Sequence, residues 1–404
     1  MHLYDLPLLF ALVGLALYTV LGGADFGAGF WQLVAGKGER GDAIRDHAHH
    51  AMAPVWEANH VWLIFVLTVV WTAYPVAFGS IASTLSIPLF IAGIGIILRG
   101  GAYALRAGTS TPREQRRVDT VVAVSSILTP FALGSAIGGI ASLRVHVGNP
   151  GGSLVSSWLN PTSITIGILA VASAAYMAAV FLSGDAERRG QRELLERLRL
   201  RALAAGVAAG AVALAGLVVL RFDANRLFTR LTQGAGLPAL ALSLLAGMGT
   251  LALIWRRRYE PARYTAGLAV ASTIAGWAFA QEPLFLRDLT VRQAASGHDT
   301  QIAVVVAVIA GAVILFPSLA LLFRLTLAGR LSEVGSRDGR PPKHGPPSQA
   351  RSSRSGRLAA ASLVAGIGFL TVAGAGWAHA LGAACFLVFV AFGYRAVLGE
   401  SELT

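Results

Sequence analysis

The sequence predicts an all-α polytopic membrane protein, and three observations carry that prediction. Of 404 residues, 55% are hydrophobic and only 13% are charged, where a soluble protein carries roughly a quarter charged residues. The apolar residues fall in blocks close to the ~20 residues a bilayer-spanning helix needs. Uninterrupted runs such as "ALAAGVAAGAVALAGLVVL" (202–220) lack the period-two alternation of a barrel strand. Hydrocarbon obliges every backbone amide to bond within the chain, leaving helices or a closed barrel. The unbroken runs select helices.

Taken in order, spans are predicted at 6–33, 55–73, 79–98, 119–142, 162–182, 202–220, 237–255, 263–281 and 302–323. Two shorter apolar segments follow, 358–377 and 379–397. The first span opens near Pro7, which a first helical turn accepts. Its start, "MHLYDLPLLF", has no basic n-region and reads as a membrane segment rather than a cleaved signal. The third span is expected to stop at "LRGGAY", with Arg99 anchored at the interface and Gly100 and Gly101 loosening the helix. Residues 330–357 are rich in Pro, Gly, Ser and Arg and predict a disordered linker. Three regions result: a membrane domain (1–325), a basic linker (326–357) and a hydrophobic extension (358–404).

Charge sets the orientation. A net charge of +12 would suggest nucleic acid in a soluble protein, but here the arginines lie between apolar blocks. Counted over alternate loops, one side receives 26 Lys and Arg and the other 6. The positive-inside rule then places the N-terminus outside and the basic loops, linker included, in the cytoplasm. The single cysteine, Cys385, excludes an intramolecular disulfide.

Ionisable residues inside spans are the candidates for chemistry, because lipid makes them costly. In "LGGADFGAGFW" (21–31), Asp25 lies about 12 Å from the inner end of its helix at 1.5 Å per residue. Gly23 and Gly27 form a GxxxG spacing suited to close helix contact. Asp25 could cap a kink, pair with an arginine or handle protons. In "MAPVWEANHVWLIF" (52–65), Glu57 and His60 share a helix face at the inner mouth of the second span, and Trp56 stands four before His60. A descent from Glu57 through His60 to Asp25 suits a proton relay. Interfacial snorkelling with a tryptophan belt suits the same residues. His47, His49 and His50 cluster in an inner loop as a weak metal candidate, while no two intramembrane histidines are placed to clamp a haem. "GIGIILRGG" lacks the rest of a phosphate-binding loop.

These two motifs, followed by "ILRGGAYALR", "LNPTSI" and "WAFAQEPLF", resemble subunit II of the cytochrome bd-type quinol oxidases from residue 6 to about 325. The resemblance implies a respiratory complex of the bacterial cell membrane that oxidises quinol and reduces dioxygen to water. It implies haem b, haem d and the quinol site in a partner, subunit I, and no haem in this chain. It further implies two four-helix bundles plus one helix, lipid contact, a possible small accessory subunit and no nucleic acid. Asp25 falls on the acid of the family's first-span motif. Glu57 falls on the acid implicated in proton uptake, with Trp56 and Asn59 in the same motif, and Arg99 matches a basic position closing the third span. Some members carry Asp in place of Glu57, and some carry a further acid near Gly22. A secondary transporter shares intramembrane acids and broken helices, and a non-conducting scaffold subunit is the third reading.

Overall fold

A computed structural model of the chain describes residues 2–36, 38–106, 112–148, 153–327 and 354–372, with scattered positions from 377 to 392. The side chains of residues 49, 50, 52–58, 103, 104, 106, 112–117, 316, 319–327, 354–356, 367 and 370–372 lie outside the described residues. Two units divide the chain at Leu319 and Ala320.

In the first unit, a short 3-10 turn at Leu3–Asp5 precedes α1 (Leu6–Leu33), α2 (Glu39–Ala73), α3 (Pro75–Thr84), α4 (Ser86–Arg106) and α5 (Pro112–Ala141). Next come α6 (Pro161–Arg188), α7 (Arg192–Asp223), α8 (Asn225–Gln233), α9 (Leu237–Trp255) and α10 (Tyr259–Gln281). A two-stranded antiparallel ribbon, β1 (Leu284–Leu286) and β2 (Leu289–Thr290), leads into α11 (Val291–Ala294) and α12 (His298–Leu327), within which the unit boundary falls. The second unit contributes α13 (Arg354–Val372). The linker expected at 326–357 lies, over 328–353, outside the described residues.

The helices group by packing. α1, α2, α4 and α5 form one bundle, and α6, α7, α9 and α10 form a second. The two meet where α6 packs against α1 and α5, with small side chains on the α1 side of the seam: Ala24 and Ala28 cluster with Ala175 and Ala178. Small residues let helix backbones approach closely without a hydrophobic force between them, as membrane packing requires. Among the described residues, six helices are long and apolar enough to cross a membrane, and a bent pair adds a seventh. α4 has a shorter apolar stretch, and α10 is diluted by Ser272, Thr273 and its glycines. These elements make a multi-pass helical membrane protein.

Three departures from the sequence expectation have local causes. The expected loop 35–54 is helical from Glu39 onward, because that stretch buries Ile44, His47 and Ala48 beside α6 and α7. The third span does not run from 79. Pro75 cannot donate a backbone bond to the carbonyl four residues back, and the chain bends by 120° between α2 and α3. The Ala73 carbonyl left at the break accepts from the Ser296 amide (2.8 Å) and Gln301 Nε2 (2.7 Å). The Tyr74 hydroxyl donates to the Tyr4 carbonyl at 2.5 Å and accepts from the Leu8 amide at 2.9 Å. Lastly, α4 continues through Gly100 and Gly101 to Arg106 instead of loosening there.

At the opposite end of the bundles from Glu39, Asn160 caps α6 by accepting from the Ser163 amide at 2.9 Å. Asp223 accepts from the Thr162 hydroxyl (2.6 Å) and pairs with Arg144 (2.7 Å). The chain turn between α5 and α6 is thereby tied to the end of α7.

Candidate functional site

Small residues on α1 make the site. From Gly22 to Gly29 the helix offers almost no side-chain bulk except Asp25 and Phe26, so α2, α5 and α6 close around it. Asp25 is 0% exposed. Arg99 of α4, also 0% exposed, donates through Nη2 to Asp25 Oδ1 at 2.5 Å and to the Asp25 carbonyl at 2.9 Å. Its Nη1 donates to the Ser126 hydroxyl of α5, which donates in turn to the Val122 carbonyl. The guanidinium carbon lies 5.1 Å from the centre of the Phe26 ring. A Cβ on Gly29 would stand 3.0 Å from Arg99 Nη1 and collide with Ser126, so only glycine lets the guanidinium pass.

This corrects the expected place of Arg99. It does not anchor at an interface; it is the buried counter-ion of Asp25, and the pair joins three helices. Two opposite charges removed from water are tolerable only in such close, hydrogen-bonded geometry. The carboxylate is nevertheless held on one side, since Asp25 Oδ2 is buried and accepts no hydrogen bond among the described residues.

More polar atoms surround that free oxygen. Tyr18, Gly22 and Asp25 are spaced four and three apart and share one stripe of α1. Tyr18 is buried, its hydroxyl has no hydrogen-bond partner among the described residues, and it lies within electrostatic reach of Asp25 and Arg99. Facing Gly22 is Asn59 of α2, 0% exposed, with neither amide atom hydrogen-bonded among the described residues. A Cβ on Gly22 would come within 2.8 Å of both. His60 is half-buried and within electrostatic reach of Asp25. Glu57 and Trp56 stand earlier on α2, with side chains outside the described residues. Gly23 and Gly27 turn the other way, toward α6: Gly23 faces Met177, and a Cβ on Gly27 would collide with the Ala174 carbonyl.

The sequence reading missed Tyr18 and Ser126. Tyr18 had a usable signal, standing two helical turns before Asp25. Ser126 had only its place in an apolar run, and nothing linked it to Arg99.

A second polar region lies at the Glu39 end of the bundles. His47 is 6% exposed; its Nε2 is 3.1 Å from the Leu182 carbonyl and 3.8 Å from Asp185. Burial pushes its imidazole below the ordinary value, against a weaker opposite pull from the Leu182 carbonyl and Asp185. A cavity of about 460 Å³ opens beside it, lined by Asp46, Arg189, Arg192 and Arg197 among others. Asp185 pairs with Arg188 and Arg189, and Glu260 with Arg188 and Arg263, tying α6 to α10. Among the described residues, no three His, Cys, Asp or Glu side chains gather as a metal-ligand group, and the side chains of His49 and His50 lie outside them.

The family described as cytochrome bd terminal oxidase subunit II matches residues 4–326. The chain belongs to this family. Curated relatives of this subunit II include the putative cytochrome bd menaquinol oxidase subunit II of Bacillus subtilis, 22% identical over 217 residues. Another is the cytochrome bd-I ubiquinol oxidase subunit 2 of Escherichia coli K12, 26% identical over 222 residues. The matches take in 53% and 52% of this chain and 61% and 55% of the relatives, so the chain spans little more than half their length. Among solved structures, a chain of the bd oxidase from Geobacillus thermodenitrificans superposes with a TM-score of 0.63 at 24% identity. That superposition covers 81% of subunit II and 99% of the other chain and shows a shared fold.

Proposed function

We propose that this subunit II works beside a haem-bearing subunit I in a complex that oxidises quinol and reduces dioxygen to water, and that it conducts protons inward from the cytoplasm. One observation carries the reading: a carboxylate wholly buried among membrane helices, paired with Arg99 through one oxygen, while the second accepts no hydrogen bond among the described residues. An intramembrane acid is expensive, and one that keeps an oxygen open is placed to accept a proton and pass it on. Glu57 and His60 stand on the cytoplasmic side of that oxygen in the proposed orientation. Oxygen reduction consumes protons, and drawing them from inside while quinol releases protons outside separates charge without a pump.

In this reading haem b and haem d belong to the partner subunit. The orientation, N-terminus outside, is supported by the gathering of His47, Arg188, Arg189, Arg197 and Arg263 at one end of the bundles.

A scaffold reading also has an observation behind it, since the Asp25–Arg99–Ser126 contact fastens α1, α4 and α5. The complex purified in mild detergent discriminates the oxidase from a lone transporter. The expected result is co-purification of a haem-bearing chain with quinol-driven oxygen uptake. A folded subunit II that purifies without such a partner and moves a solute by itself would overturn the proposal.

A further inference from the structure

We propose that Asn59 holds ordered water inside the first bundle and, through that water, positions Asp25 to exchange protons with the cytoplasmic mouth. The inference rests on the relay reading above and names a residue that acts within it. An amide carries two donors and an acceptor with two lone pairs. Asn59 uses none of them on the described residues although it is 0% exposed. In lipid surroundings an unmet polar group is costly, and a leucine, with the same branching of heavy atoms, would carry no such cost. Packing alone therefore does not account for an asparagine here.

A buried water needs two to four polar partners, and polar lining is what separates hydrated sites from dry ones. Asn59, the Tyr18 hydroxyl and Asp25 Oδ2 supply three, all buried and all open. Tyr18 and Asp25 bracket Gly22 on one stripe of α1, and Gly22 is the residue Asn59 faces. Glycine at 22 is what lets the amide lie this close to the stripe, since any Cβ would come within 2.8 Å of it. A proton arriving from His60 or Glu57 passes to such a water as the water releases one of its own. The receiving step forms an O–H bond at Oδ2 and breaks one on the water, which is left unchanged in number and charge. Asn59 is thus a positioning residue: it orders the water and carries no proton.

The test is made on the whole complex, as oxygen consumption per assembled haem in H2O and in D2O. Asn59→Leu is expected to slow turnover about tenfold, the scale on which supporting hydrogen-bond partners act, and to enlarge the solvent isotope effect. Asn59→Ser, which keeps a hydroxyl and leaves room for water, is expected to stay within about twofold of wild type. Wild-type turnover in Asn59→Leu alongside slow turnover in Glu57→Gln would overturn the role of Asn59 and leave the relay standing. Wild-type turnover in both would remove the relay and this inference with it. Should Asn59→Leu fail to assemble, a wild-type map at water-resolving resolution decides. A water within about 3.2 Å of the amide supports the proposal, and an amide bonded only to protein atoms contradicts it.

Discussion

Asp25 and Arg99 neutralise each other where neither could stand alone, and this changes how Asp25 variants are to be read. Removing one member of a buried pair costs about 3–5 kcal/mol because the other is left as an uncompensated charge, whereas replacing both can cost much less. Asp25→Asn and Arg99→Met are each expected to cut the yield of haem-bearing complex. The double variant Asp25→Leu/Arg99→Met should recover a large part of it, measured as haem per unit of membrane protein. Additive losses in that cycle would show that the two residues do not depend on each other. At this scale the sequence was half legible. The depth of Asp25 and its small neighbours were readable from "LGGADFGAGFW". Its partner stands 74 residues away at what looked like the end of an apolar run, and only the packing of α4 against α5 and α1 brings it in.

Elements were legible where apolar runs are long and ambiguous where prolines or short amphipathic stretches intervene. α1, α9 and α10 lie close to the expected bounds and α7 begins ten residues early, while the 120° bend depends on contacts to Tyr4, Ser296 and Gln301 that no local pattern encodes. The α1–α6 crossing can be probed through its glycines. Gly27→Ala sets a methyl against the Ala174 carbonyl and is expected to cost about 1–3 kcal/mol, as overpacking does, visible as a lowered melting temperature. Gly210→Ala on α7 meets nothing within 4 Å and should leave that temperature unchanged or slightly raised.

At the Glu39 end of α2, His47 is expected to confer a pH dependence on stability. Burial holds the folded His47 imidazole below its ordinary value, near 6.5 by the usual approximate scale, so the unfolded chain binds the proton more readily than the folded one. The stabilising contribution is complete above about pH 6.5 and is lost as pH falls toward the lowered folded value. His47→Gln, which keeps a donor for the Leu182 carbonyl, should flatten the loss of thermal stability between about pH 7 and pH 5. An unchanged slope in that variant would assign the pH dependence to other groups.

For the whole molecule, membrane character was legible in composition, and the proposed sidedness rests on arginine counts; both are sums over many residues and tolerate errors at helix ends. The orientation is checked in a Cys385→Ser background by maleimide labelling of intact cells. Arg292→Cys, exposed just after the β1–β2 ribbon, should label from outside, and Arg256→Cys, exposed after α9, should not; the reverse pattern would invert the topology.

Whether subunit II conducts or only supports is decided at Glu57, the acid that the proposed relay places at its entry. Glu57→Gln keeps size and hydrogen bonding but cannot take up or release a proton, and Glu57→Asp keeps the titratable group with shorter reach. The deciding measurement is oxygen consumption per assembled haem in these two variants. The relay predicts haem spectra like wild type in both, turnover lowered at least about tenfold in Glu57→Gln, and a smaller loss in Glu57→Asp. Wild-type turnover per haem in Glu57→Gln would contradict the relay and leave this subunit a scaffold.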